Sequence, residues 1–222
     1  MRKPYFLWVK KILGIGTALV DVISQVEDST ISQLKLSKGS MTLIEEEQIQ
    51  EIRSSFVEPL MTSGGSVCNT VHELNYSDHD ASFYGKLNND EYGKAFLKDL
   101  QSAGIGFQGV IKEKGLPTGC CNILVSPDGE RTMATHIGIG SQLHPDEVSI
   151  ETLKNIDHIY MESYLWDHDL TKQTLQKVGE IAKSQNIETS LSLSDPFCVD
   201  RHRDELKKFV EDDVNIVFCN FD

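Results

Sequence analysis

The fold is decided by residues 158–194, HIYMESYLWDHDLTKQTLQKVGEIAKSQNIETSLSLS. The pattern of apolar residues predicts a strand at 158–161, an amphipathic helix at 169–185 and a strand at 188–194. A further helix and a strand at 215–219 follow. Strands that alternate with single helices form right-handed βαβ crossovers. We therefore expect an α/β fold with a mainly parallel sheet, flanked by helices on both faces.

Other strands do not fit this sheet. Residues 127–129, Pro-Asp-Gly, are a hairpin signal, because glycine supplies the positive φ that such a turn requires. Extended segments with alternating polarity also occur nearer the N-terminus. We expect a small β-rich lid, built from segments at about 20–44 and 114–137, inserted into one α/β domain that occupies residues 1–222.

Charge and cysteine content restrict the partners. The 34 acidic and 21 basic residues give a formal charge of −13, so we expect no nucleic acid partner and no anionic membrane partner. The five cysteines are odd in number and have no C-x-x-C spacing, which predicts reduced, mostly buried thiols. The apolar run at residues 5–9 is too short for a signal peptide or a membrane span. The expected location is the cytoplasm.

A glycine run, Gly-Gly-Ser-Val-Cys-Asn at residues 64–69, opens a predicted helix. Gly64 and Gly65 allow positive φ and close approach to a ligand, and the helix that begins at Ser66 points unpaired N–H groups the same way. Asn69 adds a donor and an acceptor. The combination suits a polyhydroxylated small molecule at a hinge. A tight turn before a helix is the alternative.

Several polar residues lie in or directly after predicted strands. Asp21 is a carboxylate among apolar residues, which costs stability unless it is paired or contacts a ligand. Glu162, Asp195 and Asn220 each follow a strand, and the carboxyl ends of parallel strands line one ligand crevice. For Asp21 the alternative is a structural hydrogen bond. For the other three it is a helix cap or a loop hydrogen bond.

Common nucleotide and metal motifs are missing from the sequence. Gly14-Ile15-Gly16 follows a predicted strand, but no third glycine completes a dinucleotide fingerprint. There is no G-x-x-x-x-G-K-[ST] loop and no G-x-S-x-G elbow. The histidines and cysteines lack the spacing of transition-metal ligands. These observations exclude the usual Rossmann, P-loop, hydrolase and zinc classes.

The order of these pieces resembles the ribokinase-like, or PfkB, carbohydrate kinases, and within them the adenosine kinase-like branch. The resemblance is carried by the opening strand and its aspartate, the glycine run, a downstream Gly-Lys motif, a lid hairpin and a strand-end Ser-Asp-Pro, at residues 14–21, 64–69, 83–86, 128–132 and 194–196. It implies a three-layer fold with a β lid, and ATP-dependent phosphorylation of a sugar or nucleoside hydroxyl.

The resemblance also implies roles for single residues. Asp21 and Asn69 would hold substrate hydroxyls, Gly64 and Gly65 would form the lid hinge, and Glu162 would border the substrate pocket. On the cofactor side, Asp195 and Asn220 would lie near ATP and Mg²⁺. Tyr164 and Trp166, which follow Glu162, suit stacking on a base, and the alternative is that they pack in the core. The partner would be a small sugar or nucleoside, with a possible homodimer.

The sequence departs from the family in one respect. Such kinases carry a catalytic G-x-G-D motif in a C-terminal third, and we expect that third to be missing here, since no Gly-x-Gly in this sequence is followed by Asp. Phosphoryl transfer needs positioning, charge neutralisation and a base for the hydroxyl proton. We therefore predict that the isolated chain is inactive. The alternative to a kinase portion is a non-catalytic remnant or ligand-binding module.

Overall fold

The computed structural model describes residues 10–220, which form thirteen strands and six helices. In chain order these elements are β1 (Lys11–Ile15), β2 (Leu19–Gln25), α1 (Asp28–Gln33), β3 (Met41–Leu43), α2 (Glu46–Arg53), β4 (Leu60–Gly64), α3 (Ser66–Tyr76), β5 (Asp80–Tyr84), β6 (Lys86–Asn88), α4 (Glu91–Ser102), β7 (Gly106–Phe107), β8 (Val110–Lys112), β9 (Thr118–Val125), β10 (Arg131–Gly138), β11 (His158–Glu162), α5 (Asp169–Gln185), β12 (Glu188–Ser192), α6 (Pro196–Asp213) and β13 (Ile216–Phe218). The apolar run at 5–9 lies outside the described residues.

The central sheet has six strands in the order β13-β12-β11-β1-β5-β7, and all neighbours are parallel. On β1, Leu13 and Ile15 are fully buried in the core that contains residues of α5 and α6. Gly14 faces the other way, against Val67 and Val71 of α3. Helices therefore cover both faces, and the predicted α/β fold with a mainly parallel sheet is confirmed.

A second sheet has five strands in the order β3-β10-β9-β2-β4. β9 and β10 form the antiparallel hairpin that the sequence predicts around residues 127–129, and β2 lies parallel to β9. Strands from both segments expected in the lid, 20–44 and 114–137, thus belong to this sheet. β4 was not predicted, and it pairs antiparallel with β2 at the edge. A lid function for the second sheet stays a prediction.

Local sequence signals explain several element ends. Asp90 caps α4 as predicted, because its side chain accepts a hydrogen bond from the N–H of Gly93 at 2.7 Å. At the start of α2, the N–H of Glu45 donates to the Gln48 side chain at 3.0 Å in a capping box. The C-cap of α5 is Asn186, which has the left-handed conformation with a φ of 56°.

None of the helices in residues 10–220 is long and apolar enough to cross a membrane.

Two predicted elements differ in the structure. The helix predicted from 145 to about 154 is only a short 3₁₀ turn at Pro145–Glu147. The side chains of Ser149 and Thr152 bond to each other's backbone N–H groups there, which competes with a helix. The strand predicted at 107–111 is split between β7 and β8, which pair with different strands.

Candidate functional site

Glu162 lies at the carboxyl end of β11 and is 1% exposed. Its Oε1 accepts a hydrogen bond from the N–H of Thr17 at 2.7 Å, and its Oε2 accepts one from the Ser66 hydroxyl. Burial raises the pKa of Glu162, while the hydrogen bonds from Ser66 and Thr17 act in the opposite direction. A carboxylate at the first turn of α3 is also stabilised by the helix dipole. Glu162 thus joins the turn between β1 and β2 to the start of α3.

Gly64, the last residue of β4, and Gly65, which joins β4 to α3, meet different neighbours. Gly65 has a φ of 93°, and a Cβ atom there would lie 2.8 Å from the carbonyl oxygen of Thr17. Both the dihedral and the close approach require glycine. At Gly64 a Cβ atom would lie 2.3 Å from Cγ of Asp21. The Asp21 carboxylate therefore lies directly against the backbone of Gly64.

Asp21 lies on β2, where it pairs with Thr62 of β4 and Cys121 of β9. Burial raises the pKa of its carboxyl to about 6, although the positive charge of Arg131 lowers it. Within the described part of the chain, no side chain or backbone group donates a hydrogen bond to this carboxylate. The carboxylate is partly desolvated but still reached by water, and hydroxyl groups of a ligand could replace that water as hydrogen-bond donors.

Asn69 lies one turn into α3 and is exposed, and its N–H donates to the carbonyl of Gly65 at 3.0 Å. It shares the helix end with Ser66 and so belongs to the same neighbourhood as Glu162. The thiol of Cys68, on the same helix, is fully buried. Burial raises its pKa to about 12, and the charges of Asp21 and Glu162 are near enough to add to that shift. The structure thus brings together five of the predicted site residues, namely Asp21, Gly64, Gly65, Asn69 and Glu162.

The other two predicted residues lie further along the same edge of the central sheet. Asp195 follows β12, and its Oδ1 accepts a hydrogen bond from the N–H of Cys198 at 2.8 Å as the cap of α6. Asn220 follows β13 and is exposed. Tyr164 connects the two regions. Burial, a hydrogen bond with Asp195 and the charge of Glu162 all raise the pKa of Tyr164.

Several residues of this site were missed in the sequence. Thr17 and Ser66 hold Glu162, yet they are 145 and 96 residues away from it along the chain. Ser66 does stand inside the glycine run, so its place at a helix start was the available signal. In residues 10–220 no group of three or more His, Cys, Asp or Glu side chains could hold a metal ion.

Two cavities lie at the opposite edge of the central sheet. One, of about 160 Å³, is lined by residues that include Lys11 and Asp80, at the amino ends of β1 and β5. The other, of about 470 Å³, is lined by residues that include Glu188 and Asn215, near the amino ends of β12 and β13. Ligands of open α/β sheets bind outside the carboxyl ends of the strands, so we place the candidate site at Asp21 and not in these cavities.

The chain resembles known nucleoside kinases along most of its length. Guanosine-inosine kinase of Escherichia coli strain K12 is 25% identical over 225 residues, which cover 95% of this chain and 51% of that protein. Adenosine kinase 2 of Arabidopsis thaliana is 23% identical over 210 residues, covering 90% of this chain and 59% of that protein. The chain therefore spans about half the length of the curated relatives that it matches.

The solved structures agree with this. Adenosine kinase from Sinorhizobium meliloti has a TM-score of 0.83 and 32% sequence identity, covering 94% of this chain and 64% of that one. Residues 35–222 match the description "pfkB family carbohydrate kinase". That match includes the glycine run, Glu162 and the strands of the central sheet from β5 onward. The chain belongs to the pfkB family of carbohydrate kinases and has their ribokinase-like fold.

Proposed function

We propose that this chain forms the substrate-binding part of a kinase that phosphorylates a hydroxyl of a nucleoside or sugar with ATP. The observation that carries the proposal is the position of the Asp21 carboxylate, which lies against Gly64 without a donor of its own in residues 10–220. A carboxylate accepts hydrogen bonds only, and the vicinal hydroxyls of a ribose supply two donors close together. The relatives named as guanosine-inosine and adenosine kinases favour a nucleoside over a simple sugar.

Each residue of the site has a proposed task. Asp21 accepts hydrogen bonds from the substrate hydroxyls, and the exposed Asn69 amide adds a second polar contact on α3. Glu162 holds the backbone around Thr17 and the start of α3 in place, so it borders the pocket without needing to contact the ligand. Gly65 is the pivot about which the five-stranded sheet, acting as a lid, closes over the bound substrate.

The nucleotide side of the proposal concerns Asp195 and Asn220. ATP would bring the phosphoryl group, and Mg²⁺ would neutralise charge on its oxygens. The residues fit such a role in part. The Asp195 carboxylate already accepts the capping hydrogen bond on Oδ1 and is hydrogen-bonded to Tyr164, so only its remaining lone pairs could serve a metal or phosphate partner, and Asn220 is exposed at the end of the neighbouring strand. Two oxygen ligands leave most of a magnesium coordination shell to water and phosphate, as is common for this ion.

A second candidate function is ligand binding without turnover. It is favoured by the absence of any Gly-x-Gly-Asp from this sequence, since the base that accepts the hydroxyl proton would come from that motif. We propose that the isolated chain binds a nucleoside and does not phosphorylate it. A cytoplasmic location, the pairing of two copies and the lack of a nucleic acid partner stay predictions from the sequence.

The test is calorimetric titration of the chain with guanosine, inosine, adenosine, ribose and fructose. We expect nucleosides to bind more tightly than the free sugars, and Asp21→Asn to weaken binding by about tenfold or more, the loss expected for one charge-assisted hydrogen bond. The matched control is Asp146→Asn, whose side chain is 85% exposed. Unchanged affinity in Asp21→Asn would remove Asp21 from the site.

The pH dependence gives the same test a second readout. Bound hydroxyl donors favour the ionised carboxylate, so ligand binding lowers the pKa of Asp21 from its ligand-free value of about 6. We therefore expect affinity to fall as the pH drops below 6, and this fall to vanish in Asp21→Asn.

Turnover is measured by incubating the chain with ATP, Mg²⁺ and the nucleoside that binds most tightly. Phosphorylation by the isolated chain would contradict its assignment as a binding module.

A further inference from the structure

Asp99, on α4, accepts three hydrogen bonds from β4 through a single oxygen. Its Oδ2 lies 3.1 Å from Oγ1 of Thr62, 2.9 Å from the backbone N of Ser63 and 2.5 Å from Oγ of Ser63. Burial alone would raise the pKa of Asp99, but the hydrogen bonds from Ser63 and Thr62 bring it below its ordinary value. The carboxylate is therefore ionised at neutral pH, and each of these hydrogen bonds is charge-assisted.

His72, on α3, contacts the same serine. Its Nε2 lies 2.9 Å from Oγ of Ser63. A serine hydroxyl has one proton, and the short hydrogen bond to the carboxylate of Asp99 uses it. The serine oxygen must then accept, so Nε2 of His72 carries a proton and donates it. Donors and acceptors are thereby assigned: His72 donates to Ser63, and Ser63 donates to Asp99.

These three residues hold the chain on both sides of the glycine pair. Ser63 immediately precedes Gly64 and Gly65, and His72 lies on the helix that follows them. β4 is an edge strand, and β2 is its one strand neighbour in residues 10–220. In the pairing of β4 with β2, Thr62 is opposite Asp21. Whatever holds Thr62 and Ser63 therefore also holds the strand that carries Asp21.

We propose that His72, Ser63 and Asp99 form a clasp that positions Asp21 for substrate by holding β4 against α3 and α4. None of the three needs to contact the ligand, so they are positioning residues. The clasp rests on the proposed function only for its effect on ligand affinity. Its effect on the strand pair can be measured in the ligand-free protein.

The first experiment is hydrogen exchange of the full chain with Asp99→Ala. We expect the Ser63 amide to lose its protection by about tenfold or more, since its acceptor is gone, and the β2 amides beside Asp21 to exchange faster as well. The control is Lys98→Ala, an exposed residue of the same helix. If Asp99→Ala does not fold, Asp99→Asn keeps one oxygen acceptor, and a smaller loss at both places is expected. Unchanged exchange in β2 would overturn the clasp.

The second experiment separates this role from general stability. Nitrogen-15 NMR of His72 should show that Nε2 carries the ring proton. In Ser63→Ala the acceptor for this proton is gone, so the ring should return to the mixture of tautomers that a free histidine has. His72→Gln keeps an N–H donor and should retain the protection of the Ser63 amide, whereas His72→Leu should lose it. A spectrum with Nε2 unprotonated in the wild-type chain would contradict the proposed direction of the hydrogen bonds.

The third readout is nucleoside affinity. We expect Asp99→Ala to raise the Kd by about three- to tenfold, a part of the energy of one charge-assisted hydrogen bond, while Lys98→Ala leaves it unchanged. An unchanged Kd together with faster exchange in β2 would show that the clasp does not position Asp21. If the wild-type chain binds no nucleoside, the proposed function fails, and the exchange and NMR results still decide whether the clasp exists.

Discussion

Gly64→Ala tests the contact between Gly64 and the Asp21 carboxylate, on which the proposed substrate site rests. The added methyl group would lie 2.3 Å from both Cγ and Oδ1 of Asp21, well inside van der Waals contact, so the carboxylate has to move. Gly64 does not have a positive φ, so alanine brings no backbone strain there. We expect a loss of about 2 kcal/mol in the free energy of unfolding, the usual cost of forcing a group into a packed site.

The same substitution in an Asp21→Ala background should behave differently. With the carboxylate removed, the methyl group added by Gly64→Ala has room, and alanine restricts the unfolded chain more than glycine does. We therefore expect the cost to fall to about zero, which gives a coupling energy of about 2 kcal/mol between the two positions. Urea unfolding followed by circular dichroism measures all four chains of this double-mutant cycle.

Gly65→Ala is the matched control for this cycle. Its φ of 93° and the carbonyl of Thr17 at 2.8 Å make alanine unfavourable, by about 1–3 kcal/mol for the dihedral alone. Neither cause involves Asp21, so Asp21→Ala should not reduce that cost. If Gly64→Ala were equally costly with and without the Asp21 carboxylate, the two groups would not be in contact and the site would have to be placed elsewhere.

The remaining predictions concern buried charge. The pKa of Asp21 in the folded protein, about 6, is above the ordinary value of 3.8, so ionisation of this carboxyl destabilises the fold. Asp21→Asn should therefore be more stable than the wild type above pH 6. In urea unfolding, this gain in the free energy of unfolding should shrink as the pH falls from 6 towards 3.8. Glu147 pairs with the buried Lys86 at 2.9 Å and with Lys112 at 3.0 Å. Glu147→Gln removes the opposite charge beside Lys86, which keeps only neutral acceptors such as the Gln142 carbonyl at 2.7 Å, and should cost about 3 kcal/mol. Lys86→Met leaves Glu147 paired with Lys112 and should cost less in thermal unfolding.

The central sheet could be predicted because its strands are short apolar runs separated by single helices. The order and register of the strands were not predicted, because strands buried on both faces lack the alternation that fixes register, and β1 pairs with β11 from a distant part of the chain. The positive φ at Gly65 could be predicted, because two adjacent glycines directly before a helix favour a backbone that other residues rarely adopt. The second sheet was predicted only in part. Its edge strand β4 is exposed along Leu60 and Met61 and has no clear alternation, so its sequence does not distinguish it from a loop.

The partners of the site residues could not be predicted, because each depends on distant parts of the chain. Asp99 lies on the polar side of an ordinary amphipathic helix, and nothing in its neighbours distinguishes it from a solvated carboxylate. It reaches Ser63 across 36 residues.

The helix expected after Pro145 did not form, for the opposite reason. Its start signal was genuine, but side-chain hydrogen bonds of Ser149 and Thr152 satisfied the backbone locally.

The two carboxylates nearest the glycine pair, Asp21 and Glu162, differ in the hydrogen bonds that they receive. Glu162 is the more deeply buried, yet both of its oxygens accept hydrogen bonds from the protein, and the first turn of α3 adds its dipole. Asp21 is less buried but lacks donors in residues 10–220, and the charge of Arg131 only partly offsets its desolvation. A carboxylate that serves the fold is expected to be satisfied by the fold, as Glu162 is. Asp21 is partly desolvated and receives no donor from the protein in residues 10–220, and the proposal that a hydroxyl-bearing substrate binds there rests on this difference from Glu162.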